Sequence, residues 1–321
     1  MEQLEGRLAV LTGGGTGMGR ELTRQLAAAG CSVAICDVSA AAMDETRFLA
    51  LADAAAGVSI STFVADVSNE TQLLAFRTHV AEAHATDHIH LLFNNAGIGG
   101  GGSMIVDGRD EWDTVFGVCW GGVYLGTRTF LSMLLAADEG HVVNTSSVNG
   151  FWASLGPGIA HTAYSSAKFA VKGFTEALIT DFAINAPHLR ASVVMPGHIG
   201  TSIVFNSGQM LGRDPKELGD EHVAAIRERF SAQGVDLSSA SDEDIRAVVL
   251  DRAASFRDNA PMTAAEAATV ILSGVRANQW RILVGDDAHR LDELIREFPT
   301  EAYEASFLDK LRENGSFSFI P

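Results

Sequence analysis

The chain is poor in the residues that staple, span or unfold a protein. Cysteine is rare: Cys31, Cys36 and Cys119 stand alone in 321 residues. They form no CxxC and no metal-ligand spacing, and their number is odd. That pattern predicts buried free thiols in a reducing compartment and excludes a disulfide framework or a zinc site. No apolar run approaches the ~20 residues that cross a bilayer. The opening Met1-Glu2-Gln3-Leu4-Glu5 has no apolar signal core. The expectation is a soluble, cytoplasmic protein without a membrane partner. Proline is scarce too, at 7 residues, and 47% of the chain is hydrophobic, which excludes a disordered chain. Basic residues are outnumbered, 23 against 40 acidic ones, for a net charge of −17. A nucleic-acid binder needs the opposite sign.

What remains is a regular alternation. Leu8-Ala9-Val10-Leu11 reads as a buried strand, and Gly17 to Gly30 as a helix with Met18, Leu22 and Leu26 on one face. Strands are expected at 32–36, 59–64, 89–93, 141–145, 189–195 and 280–284, with helices at 40–56, 69–85, 112–136 and 162–185. Apolar strands between helices predict a parallel sheet covered on both faces, wound by right-handed crossovers. The expected fold class is α/β: a Rossmann-type, doubly wound, seven-stranded parallel sheet in a single domain over 1–321. The rhythm breaks between Thr201 and Pro261, where two amphipathic helices are expected. One carries Val223, Ile226 and Phe230. The other opens at a capping box, Ser241 to Asp244, and carries Ile245, Val248, Val249 and Phe256. This helical insertion, 203–262, follows the sixth strand, near the strand ends where such sheets bind ligands, and is expected to be a substrate lid. A second capping box, Thr263 to Glu266, opens the next helix. The tail, Asp286 to Gly315, reads as two short helices split at Pro299.

Three features carry chemistry. The first strand runs into Thr12-Gly13-Gly14-Gly15-Thr16-Gly17-Met18-Gly19 and then a helix. Glycines let the backbone approach a pyrophosphate resting on the helix N-terminus. Asp37 ends the second strand, 24 residues after Gly13. A carboxylate there accepts from ribose hydroxyls and repels a 2′-phosphate, and Val38, Ser39 and Ala40 offer no compensating cation, which points to NAD over NADP. Tyr164 and Lys168 lie four apart on one helical face, in a chain with only three tyrosines and four lysines. A phenol titrates near 10, and a neighbouring cation brings it toward the useful range. Ser147 follows the fifth strand and can hydrogen-bond a substrate oxygen.

With these residues in place the chain resembles the simple, single-domain branch of the short-chain dehydrogenase/reductase family, over roughly Leu4 to Val284 apart from the insertion. Thr12 to Gly19 matches TGxxxGxG; the extended branch needs glycine where Thr16 stands. Asn94-Asn95-Ala96-Gly97 matches NNAG. Asp66, in Ala65-Asp66-Val67, matches the acid at the adenine ring. Ser147, Tyr164 and Lys168 match the catalytic trio, and Pro196-Gly197 with Ile199 and Thr201 matches the PGxxxT segment at the nicotinamide carboxamide. The resemblance implies an NAD(H)-dependent oxidoreductase moving hydride between nicotinamide and a secondary alcohol or ketone. Tyr164 would be the acid–base, Lys168 would lower its pKa and hold the ribose, and Ser147 would orient the substrate oxygen. It implies cofactor contacts at Gly13, Thr16, Gly17, Met18, Gly19, Asp37, Asp66, Val67, Asn95, Ala96, Gly97, Tyr164, Lys168, Pro196, Gly197, Ile199 and Thr201, and assembly as a homodimer or homotetramer.

Two departures stand out. Cys119, in Val118-Cys119-Trp120-Gly121-Gly122, replaces the family Asn whose amide serves a water relay; a thiol is a weaker hydrogen-bond partner. The segment from Phe151 to His161 is long and carries Phe151, Trp152, Pro157 and His161, expected to shape the pocket. Phe151, Trp152, Phe205 and Met210, with the long lid, suggest a bulky apolar substrate, terpenoid, steroid or aromatic. His79, His84, His88 and His90 lack carboxylates at ligand spacing, so no metal is expected; protonated rings at a helix C-terminus are the simpler reading. A 3-oxoacyl-thioester reductase would want NADPH and a basic patch, which Asp37 and the acidic charge oppose. A non-catalytic NAD-binding sensor or scaffold has only Cys119 in its favour.

Overall fold

Every residue of β1 (Leu8–Thr12) is buried, because the strand has a helical layer on each side. Leu8 and Val10 join one apolar cluster, Ala9 and Leu11 the other, which leaves no polar position to alternate. The computed structural model describes residues 1–156, 159–232 and 235–313. Among these, β2 (Ser32–Asp37), β3 (Ile60–Val64), β4 (Leu91–Asn94), β5 (Gly140–Thr145), β6 (Leu189–Pro196), the two-residue strands β7 (Ile199–Gly200) and β8 (Met262–Thr263), and β9 (Arg281–Val284) follow. Seven of them form one parallel sheet in the order β3-β2-β1-β4-β5-β6-β9, and β7 pairs with β8 apart from it. This is the sheet expected from the sequence. Its strand order reverses beside β1, between β2 and β4, which opens a ligand crevice at the carboxyl ends of these strands.

Apolar stripes dock the helices. Leu22 and Leu26 of α1 (Gly17–Ala28) and Met43 of α2 (Ala40–Asp53) cover one face. The other is covered by Leu73 and Phe76 of α3 (Glu70–Ala83), Val115 of α4 (Arg109–Phe116), Phe130 of α5 (Gly122–Leu135) and Ala167 and Leu178 of α6 (Thr162–Asn185). The single helix expected at 112–136 is instead three pieces: α4, a π-helical turn at Gly117–Gly121, and α5. Gly122 lies against Val67 and Gly126 against the Asn94 amide. Packing that close needs glycine, and the glycines weaken the straight helix between them.

Among its described residues the insertion holds three helices, not two: α7 (Ile203–Met210), α8 (Asp220–Ala232) and α9 (Asp242–Asp258). At eight residues, α7 is too short for periodicity to reveal. Both capping boxes form, Ser241 with Asp244 and Thr263 with Glu266, the second opening α10 (Ala264–Arg276). Leu218, Val223 and Ile245 make a small cluster separate from the main core, whereas Val248, expected to be inside, is exposed.

The tail folds as α11 (Asp286–Glu297) and α12 (Ala305–Glu313), split as expected; Gly315 lies outside the described residues. Its docking corrects the pocket reading of Phe151 and Trp152. Trp152 is 1% exposed, packs with Leu291, Leu294 and Phe307, and donates its indole N–H to the Ala302 carbonyl at 2.7 Å. Phe151 packs on the same cluster beneath the Arg281 guanidinium. Pro157 lies outside the described residues. All three cysteines are buried and free, and burial pushes the Cys31 thiol up to about 12. Among the described residues no helix is long and apolar enough to cross a membrane.

Candidate active site

The turn after β1 is a cradle for backbone approach. Gly13 has φ +69°, and a Cβ there would lie 2.8 Å from the Ala96 Cα. A Cβ on Gly19 would run into the Gly13 carbonyl. Thr16 is the N-cap residue of α1 and Gly17 its first helical residue; Met18 turns its side chain into the core below. Asp37, at the end of β2, accepts from the Gly15 amide at 3.0 Å and the Ser39 amide at 3.1 Å. Asp66, just beyond β3, accepts from the Ser68 amide and hydroxyl, and Val67 packs beneath Gly122.

The segment after β4 links this turn to the Lys168 side chain. Asn95 donates its side-chain amide to the carbonyls of Thr12 at 3.1 Å and Gly13 at 3.3 Å. The Ala96 amide donates to the Thr12 hydroxyl. A Cβ on Gly97 would come within 3.4 Å of the Lys168 Nζ and 3.7 Å of the Cys119 Sγ.

Lys168 and Tyr164 share one face of α6. Lys168 is 2% exposed, donates from Nζ to the Thr145 carbonyl at 2.9 Å, and sits 5.3 Å from the Tyr164 ring centroid. Ser147 is the N-cap of a 3₁₀ turn, Val148–Gly150, and accepts from the Asn149 amide. Burial lowers the Lys168 pKa. It also raises that of Tyr164, with the Ser147 hydroxyl pulling the other way. A phenol simply acidified by Lys168 is therefore not what the resting site holds; desolvation dominates both groups.

Pro196 ends β6, and the Gly197 amide donates to the Val284 carbonyl. Ile199 is buried in β7, and the Thr201 side chain rests against Gly17, closing the site from the far side. Four contacts carry no sequence signal, because their partners are distant in the chain. Asn206 on α7 donates to the Thr16 hydroxyl at 2.9 Å. Asp287 is buried against Gly197, accepts from the His198 amide at 2.7 Å, and is raised in pKa by burial. Arg213 pairs with Glu111 at 2.6 Å, and Arg229 pairs with Asp107.

These two ion pairs wall a cleft of about 190 Å³ that also touches Gly100, Gly102 and His161. The His161 ring stacks on Tyr164, 4.6 Å between centroids and 24° between planes. Phe205 and Met210, also expected at an apolar pocket, are not among the residues that line this cleft. Phe205 is buried with Lys216 and Arg257 over its ring, and Met210 packs against the main core.

For His84 and His90 the expected protonated ring is corrected as well. His84 caps α3 with its ring on the Ser59 and Ser61 hydroxyls, and burial lowers its pKa. His90 accepts from the Leu8 amide and is held down at about 4. Among the described residues no three His, Cys, Asp or Glu gather in a metal-binding group.

Comparison with known proteins matches the short chain dehydrogenase family profile to residues 7–211. An oxidoreductase of Mycobacterium tuberculosis named SadH is 30% identical over 296 residues, 92% of each chain. Levodione reductase of Leifsonia aquatica is 32% identical over 220 residues, 68% of this chain and 79% of that one. The crystal structure of a Burkholderia phymatum short-chain dehydrogenase/reductase in complex with NAD superposes with a TM-score of 0.73 at 28% identity, covering 92% of this chain and 95% of that one. A metagenomic short-chain oxidoreductase in complex with NADP gives 0.53 at 30% identity, over 60% of this chain and 83% of that one.

Proposed function

This chain belongs to the short-chain dehydrogenase family, and from that membership we propose that it is an NAD(H)-dependent oxidoreductase acting on a secondary alcohol or ketone. The observation that carries the reading is the 95–97 segment: Asn95 grips the glycine turn while Gly97 lies against Lys168, so cradle and reacting groups form one site. The turn fits a dinucleotide, since glycine at 13 and 19 lets the backbone fold tightly against Ala96 and the Gly13 carbonyl at the N-terminus of α1. Gly13, Thr16, Gly17, Met18 and Gly19 would hold the pyrophosphate, and Asp66 and Val67 the adenine side. Asn95, Ala96, Gly97, Pro196, Gly197, Ile199 and Thr201 would line the nicotinamide half. Bound nicotinamide supplies the hydride donor or acceptor.

The chain's own residues handle the proton. Tyr164 gives it to a ketone oxygen, or takes it from an alcohol. Ser147 holds that oxygen, and Lys168, buried and fixed on Thr145, places a positive charge beneath the phenol. Asp37 supports NAD over NADP: both of its oxygens meet backbone amides at the ribose end, and a 2′-phosphate there would face a carboxylate. The 203–262 segment would cover the substrate, since Asn206, Arg213 and Arg229 tie it to the cradle and the cleft. A homodimer or homotetramer is part of the proposal; the exposed Tyr124 and Phe169 on α5 and α6 are a face for it.

Tyr164→Phe tests the assignment. It keeps the ring and removes the proton, so turnover should fall ~10²–10⁴-fold while NADH binding by fluorescence stays unchanged. More than a tenth of wild-type activity would remove Tyr164 from this role.

A further inference from the structure

We propose that His161 holds a second, uncharged oxygen of the substrate, so that the substrate is an oxygenated ketone or alcohol, such as a hydroxyketone or a diketone. The inference rests on the oxidoreductase reading and names the substrate class of the same site. His161 lines the cleft, and its ring lies flat on that of Tyr164, which places it beside the proposed acid–base. The Nδ1 of His161 is buried and has no hydrogen-bond partner among the described residues. Buried polar atoms are nearly always paired, so an unpaired one beside a reacting group is a handle for ligand.

The other polar side chains of the cleft are engaged. Glu111 accepts from the Gly101 amide at 2.7 Å and from Arg213. Asp107 accepts from the Ser103 amide at 2.5 Å and from Arg229. Each guanidinium already faces a carboxylate, so the wall offers no free charge to a carboxylate or phosphate. Burial holds His161 at about 4, and a neutral imidazole has one donor and one acceptor nitrogen. That inventory suits a hydroxyl or carbonyl oxygen.

Reduction of cyclohexanone, 2-hydroxycyclohexanone and 1,4-cyclohexanedione, each with NADH and with NADPH, tests the inference. Wild type should favour at least one of the oxygenated ketones over cyclohexanone by about tenfold or more in kcat/KM, because a site built to bond an oxygen rejects the analogue lacking it. His161→Phe keeps a ring against Tyr164 and loses both nitrogens. It should erase that preference through the KM of the oxygenated ketones, with NADH affinity unchanged. His161→Gln, which regains a hydrogen-bonding group, should restore part of it. Equal use of all three ketones by wild type, or an equal loss on all three in His161→Phe, overturns the inference and leaves the oxidoreductase reading standing. No turnover of any ketone with either cofactor, while NADH still binds, counts against the oxidoreductase reading itself and takes the inference with it.

Discussion

The Cys119 sulfhydryl donates to the carbonyl of Ile98 at 3.2 Å, from inside the π-helical turn Gly117–Gly121. The family places an amide at this position. Here a smaller group ties the same helix to the strand-end segment beside Lys168. Single π turns concentrate at functional sites, and Cys119 lies near enough to bear on the protonation of both Tyr164 and Lys168. Cys119→Ser keeps a donor of similar size and should retain most activity. Cys119→Asn inserts volume where Cys119 is fully buried, which typically costs ~1–3 kcal/mol, and should lower both Tm and kcat. A faster Asn variant would show that proton transfer needs the amide after all.

Asp37 should control cofactor choice. In Asp37→Ala, the NADH/NADPH ratio of kcat/KM should fall at least about tenfold, the size of one lost charge-assisted hydrogen bond. The same variant frees the Gly15 and Ser39 amides, so Tm should drop as well. A ratio already near one in wild type would remove Asp37 as a discriminator.

The sheet and the shared helical face of Tyr164 and Lys168 were legible because their signals are local. A buried parallel strand is a short apolar run, and Tyr164 and Lys168 advertise a shared face by spacing alone. The π turn was not legible, since four glycines in one helical stretch mark weakness without saying how the backbone resolves it. Trp152 was misread because its partners, Ala302 and Phe307, lie 150 and 155 residues away. An aromatic a few residues before Tyr164 looks the same in sequence whether it lines a pocket or anchors a tail. His161 was flagged for its position, but its stacking on Tyr164 depends on a chain turn that no periodicity encodes.

The 203–262 segment should open more readily than the sheet. Its own cluster, Leu218, Val223 and Ile245, is small and separate, and low-stability units of this kind unfold locally. Amides of α8 and α9 should exchange faster than those of β4 and β5, and slow on addition of NADH with a substrate analogue. Ile245→Ala should widen the difference without moving the global Tm. Equal protection in all four elements would make the segment part of the cooperative core.

Acid should destabilise the protein through His141. The ring is 1% exposed, its Nε2 meets the Ser192 hydroxyl at 2.7 Å, and burial holds it down at about 3. In the unfolded chain it titrates near 6.5. Between those values the unfolded state carries the extra proton, so stability is complete above about pH 6.5 and falls with pH toward 3, by ~1.4 kcal/mol per unit for one such group. His141→Gln should flatten the curve of urea midpoint against pH in that window. An unchanged slope would move the acid sensitivity to other groups.

The last prediction joins the tail to Ser147. Asn149 donates its backbone N–H to the Ser147 hydroxyl and its side-chain amide to the carbonyls of Trp152 and Ser154, both at 2.9 Å. The turn that presents Ser147 is thus built on the same residues that anchor Phe307 and Ala302. Trp152→Ala empties a fully packed site and should cost ~3–5 kcal/mol. Trp152→Phe keeps most of the volume and loses one hydrogen bond, about 1 kcal/mol. Removing the chain beyond Glu297 should therefore lower kcat by loosening Ser147, while NADH affinity holds, because the glycine cradle packs on α1 and β4 and not on α12. If the truncated protein lost cofactor binding and activity together, the tail would be a global brace; if it kept full kcat, the turn would hold Ser147 without it.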